Sequence, residues 1–339
     1  MLKPTNRMAQ EIAAAPAVVA QQAADLAQPI GDLVARLRAR PPRVVVTCGR
    51  GSSAHAATFA KHLFERYLGI PVAEVAPSIA SIYGQPLHLK DQLCLVVSQS
   101  GESHDLIAVA QSARTSGALT VAVVNVLGSP LAAACDVVLP IGAGPELSVA
   151  ATKTFVATLA ALLRLTAAWS GDPAHRAAVA RLPDRLAAAA ALDWGGALVA
   201  LGASDSLVTI GRGPTLAIAR EAALKLKETC NLHAEAFSSA EFRHGPLALA
   251  SPHRPVLVLM PTDACAPGVQ KLADDLRRLQ TPTLVAGPDA TLPVVKPEHP
   301  EADAICLVQS FYAFAEQLAR HRGIDADHPR NLQKVTRTQ

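Results

Sequence analysis

Short apolar runs rich in valine, leucine and isoleucine alternate with helical patterns along this chain, which predicts parallel sheets covered by helices. In the first half the strand candidates are Arg43 to Cys48, Gln92 to Ser98 and Leu119 to Asn125. In the second half they are Ser206 to Ile210, Pro255 to Met260 and Thr283 to Ala286. A helical stretch from Phe155 to Leu201 joins the two sets. The triplets are in register. Thr47-Cys48-Gly49-Arg50-Gly51 falls on Thr209-Ile210-Gly211-Arg212-Gly213 at an offset of 162 residues. The same offset carries Leu95-Val96-Val97 onto Leu257-Val258-Leu259, and Val121-Ala122-Val123 onto Thr283-Leu284-Val285. One offset across three strands predicts a duplicated domain, with a period far too long for a solenoid.

The expected fold class is therefore α/β, with two tandem doubly wound parallel-sheet domains and flanking helices. Its expected divisions are a helical segment over 1–40, a first, phosphate-binding domain over 41–170, a helical linker over 171–200, a second domain over 201–323 and a tail over 324–339. Doubly wound sheets bind ligands beyond the carboxyl ends of their strands. The turns after Cys48, Val97, Ile210 and Met260 are thus the places to look for chemistry.

Composition narrows the classes. A length of 339 residues suits two ordinary domains, each able to bury a core. A net charge of +3 is too small to imply nucleic acid, and the cluster Arg36, Arg38, Arg40 and Arg43 at a helix end reads as a solvated surface feature. The most apolar stretch, Phe155 to Trp169, falls short of the roughly 20 residues a membrane span needs and carries Arg164. The start, Met1 to Arg7 followed by Gln10 and Glu11, lacks the apolar core of a signal peptide, so a cytoplasmic location without membrane attachment is expected. Six cysteines with no Cys-x-x-Cys pair read as buried, reduced thiols.

Ser98-Gln99-Ser100-Gly101-Glu102-Ser103 follows a predicted strand and opens a helical pattern running through Ser116. Hydroxyls, a flexible glycine and the free amides of a helix start suit a phosphate dianion. Gly49-Arg50-Gly51-Ser52-Ser53 adds two hydroxyls at the neighbouring strand end. One serine would be a helix cap; five hydroxyls at two strand ends exceed what capping requires. The second-half counterpart, Pro261-Thr262-Asp263, lacks the serine cluster. Neither a P-loop nor the third glycine of the dinucleotide fingerprint is present.

These segments resemble the sugar isomerase (SIS) domain family, whose domains are flavodoxin-like, and within it the two-domain isomerase half of glucosamine-6-phosphate synthase. The resemblance runs from Met8-Ala9-Gln10-Glu11-Ile12 to the tail. It is carried by Ser98 to Glu102, Glu221 to Glu228, His233 to Ala236, His244 to Leu249, and Pro329-Arg330-Asn331-Leu332 with Lys334. There are departures. The turn after Cys48 is two residues longer, Ala151 stands where the synthase has a serine, and Ser103 replaces a threonine. A glutaminase domain is missing, with Leu2 where its cysteine nucleophile would stand, which favours nitrogen release over ammonia transfer. The ending Lys334-Val335-Thr336 is closer to the family's short deaminases and deglycases.

On a helix, Glu228 shares a face with Lys225 at i−3 and Glu221 at i−7. Spacing alone leaves that trio as readily a surface salt bridge as a catalytic group. The resemblance implies that Glu228 is the enolisation base and Lys225 its support. It also implies that His244 opens the sugar ring from a neighbouring subunit, hence a homodimer, and that Lys334 forms a Schiff base with the open-chain ketose. Ser52, Ser53, Ser98, Gln99, Ser100, Ser103, Val149 and Ala151 are the substrate-binding positions it implies. No metal or other cofactor is expected: His233-Ala234-Glu235 lacks the Pro-Cys-x-x-Cys partner of zinc deaminases, and His55 and His62 lie seven apart on one helix. The expected activity is isomerising deamination of glucosamine 6-phosphate to fructose 6-phosphate and ammonia. A fructosamine-6-phosphate deglycase, a phosphosugar isomerase and a non-catalytic sugar-phosphate sensor are the alternatives.

Overall fold

The computed structural model describes residues 6–334, so Val335 and Thr336 of the tail lie outside the described residues. Two compact units divide the chain. The first comprises residues 17–146 and 153–179, the second residues 6–16, 147–152 and 180–334. A long helix, α1 (Arg7–Ala39), contributes residues to both.

In the first unit the elements are β1 (Val45–Cys48), α2 (Ser52–Leu68), β2 (Val72–Glu74), α3 (Ser78–Ser81), β3 (Leu93–Ser98), α4 (His104–Thr115), β4 (Leu119–Val124), α5 (Pro130–Ala134), β5 (Val137–Pro140) and α6 (Lys153–Ser170). The strands form one parallel sheet in the order β2-β1-β3-β4-β5, the flavodoxin-like order. Its central strands are buried along their length, which is why they read as continuous apolar runs. Strand β1 begins at Val45 rather than at Arg43, because the Gln92 side chain takes the amides of Arg43 and Val44, each at 2.9 Å. Helix α6 buries fifteen of its eighteen residues, Lys153 among them.

Helix α7 (Pro173–Ala190) spans the boundary, and the second unit continues with α8 (Leu198–Gly202), β6 (Ser206–Gly211), α9 (Pro214–Cys230), β7 (His233–Ser238), β8 (Val256–Leu259), α10 (Ala266–Arg278), β9 (Thr283–Ala286) and α11 (Pro300–His321). Its parallel sheet runs β7-β6-β8-β9, the same winding without a fifth strand. Both expected doubly wound sheets are thus present.

The repeat extends beyond the three strands that revealed it. Helices α2 and α9 are both 17 residues long and start 162 residues apart. Each begins after a glycine in the same unusual conformation, Gly51 at φ 53°, ψ −130° and Gly213 at φ 57°, ψ −127°, and each ends on a left-handed residue, Gly69 or Asn231. Thr47 pairs with Leu95 in one sheet as Thr209 pairs with Leu257 in the other. The third strand departs from the expected alignment. Leu95 pairs with Val121, but Leu257 pairs with Leu284, so one extra residue before β9 raises the offset there to 163.

Among the described residues no single helix is long and apolar enough to cross a membrane. The four arginines at the end of α1 are exposed, as expected. Five cysteines are buried and Cys265 is half-buried; burial pushes the Cys48 thiol up to about 12.

Glycine is required where the repeated turn folds back. A Cβ on Gly211 would lie 2.2 Å from the Thr215 carbonyl oxygen, whereas one on Gly31 in α1 would meet nothing within 4 Å. Gly211→Ala is therefore expected to cost about 2–3 kcal/mol in urea unfolding, and Gly31→Ala to add about 0.5–1 kcal/mol.

Candidate active site

The expected site residues fall into two groups, one in each unit. In the first unit both groups of serines stand at carboxyl ends of neighbouring strands, where the winding of the sheet reverses. Ser52 and Ser53 open α2, and the Ser53 amide donates to the Arg50 carbonyl at 3.0 Å. Beyond β3, the buried Ser98 hydroxyl accepts from the Gly101 amide at 3.0 Å and the Ser100 hydroxyl from the Glu102 amide at 3.3 Å. A hydroxyl that accepts an amide still has its own proton to donate. Ser103 is the N-cap of α4, and its side chain makes no capping bond among the described residues.

The loop is held rigidly. Gly101 has φ 67°, and a Cβ there would lie 2.1 Å from the Ser129 hydroxyl, while its carbonyl accepts from the Leu131 amide at 3.1 Å. Gln99 and Ser100 are half-buried. Two residues that the sequence reading left out tie the turns together: Arg50, half exposed after β1, donates to Asp105 in the first turn of α4 at 2.6 Å. The carboxylate suits the positive helix end and the guanidinium offsets its charge. An acidic residue in a first helical turn, facing an arginine between two glycines, was the available signal. The arrangement offers hydroxyl donors, backbone amides and a nearby guanidinium to an oxyanion.

In the second unit, α9 buries an ionic cluster. Lys225 donates to the Glu228 carboxylate and lies 3.5 Å from Glu221, whose oxygen also accepts the Tyr312 hydroxyl of α11 at 2.8 Å. Glu221 and Lys225 are fully buried; the Glu228 side chain is 21% exposed and faces a cleft of about 620 Å³ lined also by Asn231, Asp325 and His328. The surface salt-bridge reading of this trio is thus corrected by burial. A buried ion pair is a poor stabilising device. The repeat shows the alternative: the positions 162 residues earlier on α2 are Phe59 and Leu63, both buried.

Lys334 also belongs to the second unit. Its ammonium donates to the Ser148 carbonyl at 2.6 Å, beside half-buried Val149 and Ala151. Glu11 of α1 holds the same segment by accepting from the Leu147 and Ser148 amides. Asp327 fastens the tail by accepting from the Arg7 and Met8 amides at 2.8 and 2.9 Å, capping α1. His244 stands apart. It is exposed after a short 3-10 turn and makes no side-chain hydrogen bond or ion pair among the described residues. That turn is anchored by buried Phe242 against Phe237 and by Arg243 on Asp275 at 2.6 Å. His233 and Glu235 lie on the exposed face of edge strand β7.

Removing one partner of the buried group should be worse than removing both. Lys225→Leu leaves Glu221 charged in the core and is expected to cost about 3–5 kcal/mol in urea unfolding, and Glu221→Phe with Lys225→Leu to recover most of it.

The SIS domain profile matches residues 40–168 and 201–286, one segment on each sheet. Glutamine–fructose-6-phosphate aminotransferase (isomerizing) of Halobacterium salinarum is 35% identical over 316 residues, covering 86% of this chain and 51% of that protein. The chain thus spans about half the length of such curated relatives. A solved structure from Silicibacter pomeroyi, assigned by inference as a phosphosugar isomerase, superposes with a TM-score of 0.90 at 44% identity, covering 95% of this chain and 99% of that one. Glucosamine-6-phosphate deaminase of Thermotoga maritima shares the fold, with a TM-score of 0.78 at 21% identity and coverage of 98% and 100%. With both sheets matched and a structural relative alike over almost its whole length, this chain belongs to the SIS domain family.

Proposed function

We propose that this chain is an isomerising deaminase of amino-sugar phosphates, converting glucosamine 6-phosphate and water to fructose 6-phosphate and ammonia. The observation that carries the reading is Lys225, buried with Glu221 at two positions that the repeat fills with Phe59 and Leu63, and paired with Glu228 at the cleft. The relatives named as fructose-6-phosphate aminotransferases support the choice of sugar.

In this reading the loop 98–103 with Ser52 and Ser53 takes the phosphate, supported by its hydroxyls and helix start. His244 of a second copy protonates the ring oxygen and opens the ring; its exposure supports a role across a homodimer. Glu228 removes the C2 proton of the open-chain aldose and returns one to C1, while Lys225 holds its carboxylate in place. The product is an imine at C2. Lys334 attacks that carbon and expels ammonia, and water then releases the ketose and restores the amine. Val149 and Ala151 contact the sugar chain beside Lys334.

A phosphosugar isomerase without nitrogen chemistry is the second reading, favoured by the 44% identical structure. It needs the same loop and base but no amine exchange.

Ammonia and ketose release across a panel of 6-phosphorylated amino and neutral sugars separates the two. Ammonia from glucosamine 6-phosphate is expected, with kcat lowered about 10²–10⁴-fold in Glu228→Gln. Ketose formation without ammonia would establish the isomerase. Lys334→Ala is expected to abolish ammonia release while leaving the affinity for phosphorylated sugar within a few fold, read by calorimetry. Mixing inactive Glu228→Gln and His244→Ala proteins under subunit exchange should restore about a quarter of the activity, since one site in a mixed dimer is intact. No recovery would rule out the shared histidine.

A further inference from the structure

We infer that the second unit contains an anion pocket at the strand end corresponding to the serine loop, and that the chain's own Asp303 carboxylate fills it. The two loops correspond residue for residue. Strands β3 and β8 share register at the offset of 162, and α4 and α10 start 162 residues apart, at His104 and Ala266. Thr262 therefore stands where the first unit has Ser100. Its hydroxyl donates to Asp303 at 2.6 Å.

The rest of the carboxylate is held as a bound oxyanion would be. Arg185 of α7 donates to it at 2.7 Å, the Glu298 amide lies 3.2 Å from both oxygens, and the His299 amide adds a contact at 3.4 Å. Hydroxyl, guanidinium and consecutive amides form the donor set used for phosphates and carboxylates. Asp303 and Arg185 have side chains only 8% and 9% exposed, so the pair is shut away from water. Arg185 Nη2 also donates to the Lys296 carbonyl at 2.7 Å, and Glu298 lies 3.8 Å from its Nε. Its Nη1 is buried without a hydrogen-bond partner among the described residues, a donor that a single carboxylate does not use.

Capping of α11 alone does not explain this. Asp303 lies in the first turn and accepts from the N-cap amide, but a cap needs neither Thr262 nor a buried arginine. In the first unit no carboxylate hydrogen-bonds to Ser98, Ser100 or Ser103 among the described residues, so that loop remains available. The duplicated fold thus presents two equivalent anion positions, of which one is closed by an internal ligand. The inference rests on the repeat and not on the identity of the sugar.

The test removes the internal carboxylate and offers a small one in its place. Asp303→Gly should lower Tm by roughly 5–10 °C, because it strands a buried arginine. Sodium formate, compared with sodium chloride at equal ionic strength, should restore at least half of that loss. It should leave wild type and the double variant Asp303→Gly/Arg185→Met unchanged, since neither has an empty pocket with its cation. Equal formate shifts in all three proteins, or an Asp303→Gly protein as stable as wild type in chloride, would overturn the proposal. If Asp303→Gly does not accumulate, its refolding yield from urea in formate against chloride gives the same answer: higher yield in formate supports the pocket, equal yields refute it.

Discussion

Lys225 is buried in the second unit, and its neighbours are arranged around that fact. An ammonium out of water costs several kcal/mol unless it is closely partnered. Helix α9 provides two partners by geometry alone, Glu221 one turn before and Glu228 one turn after, and α11 completes the group with the Tyr312 hydroxyl on Glu221. The cluster has a dry end and a wet end. Glu221 is sealed, while Glu228 reaches the cleft beside α9. Packing alone does not call for a cation fixed behind a carboxylate that meets solvent.

The repeat acts as an internal control on that argument. Helices α2 and α9 have the same length, the same glycine turn before them and the same left-handed end. Their backbones answer to the same constraint, the sharp return from strand to helix at Gly49-Arg50-Gly51 and Gly211-Arg212-Gly213. Only the side chains divide. The first unit keeps hydroxyls after β3 and places Phe59 and Leu63 in its core; the second keeps the ionic helix and has Thr262 and Asp263 after β8. Side-chain chemistry differs between two copies of one scaffold while the strand-to-helix turn keeps the same path.

Much of this was legible in the amino-acid pattern. The strands buried on both faces, such as β3 and β4, announce themselves as unbroken apolar runs. The strands that were missed, β2, β5 and β7, all lie at sheet edges. Strand β2 has three residues, two of them exposed, β5 ends in Pro140, and β7 mixes polar residues into its outward face. The one-residue shift at β9 was hidden because Thr283-Leu284-Val285 is apolar enough to align in either register. The candidate residues were found through motif and resemblance. The contacts around them were not, because Tyr312 on Glu221, Arg50 on Asp105 and Arg185 on Asp303 join segments that sequence spacing does not relate.

The tail shows most clearly what long-range contacts add. A lysine close to a polar chain end ordinarily reads as solvated and mobile. Here Asp327 caps the first turn of α1, and Glu11, one turn further along the same helix, holds the segment on which Lys334 rests. The tail and the segment bearing Val149 and Ala151 are therefore positioned by one structural element. Their spacing depends on the first two turns of α1 together with the tail's own Asp327 and Lys334. The placing of Lys334 is for that reason a property of the start of the chain as much as of its end.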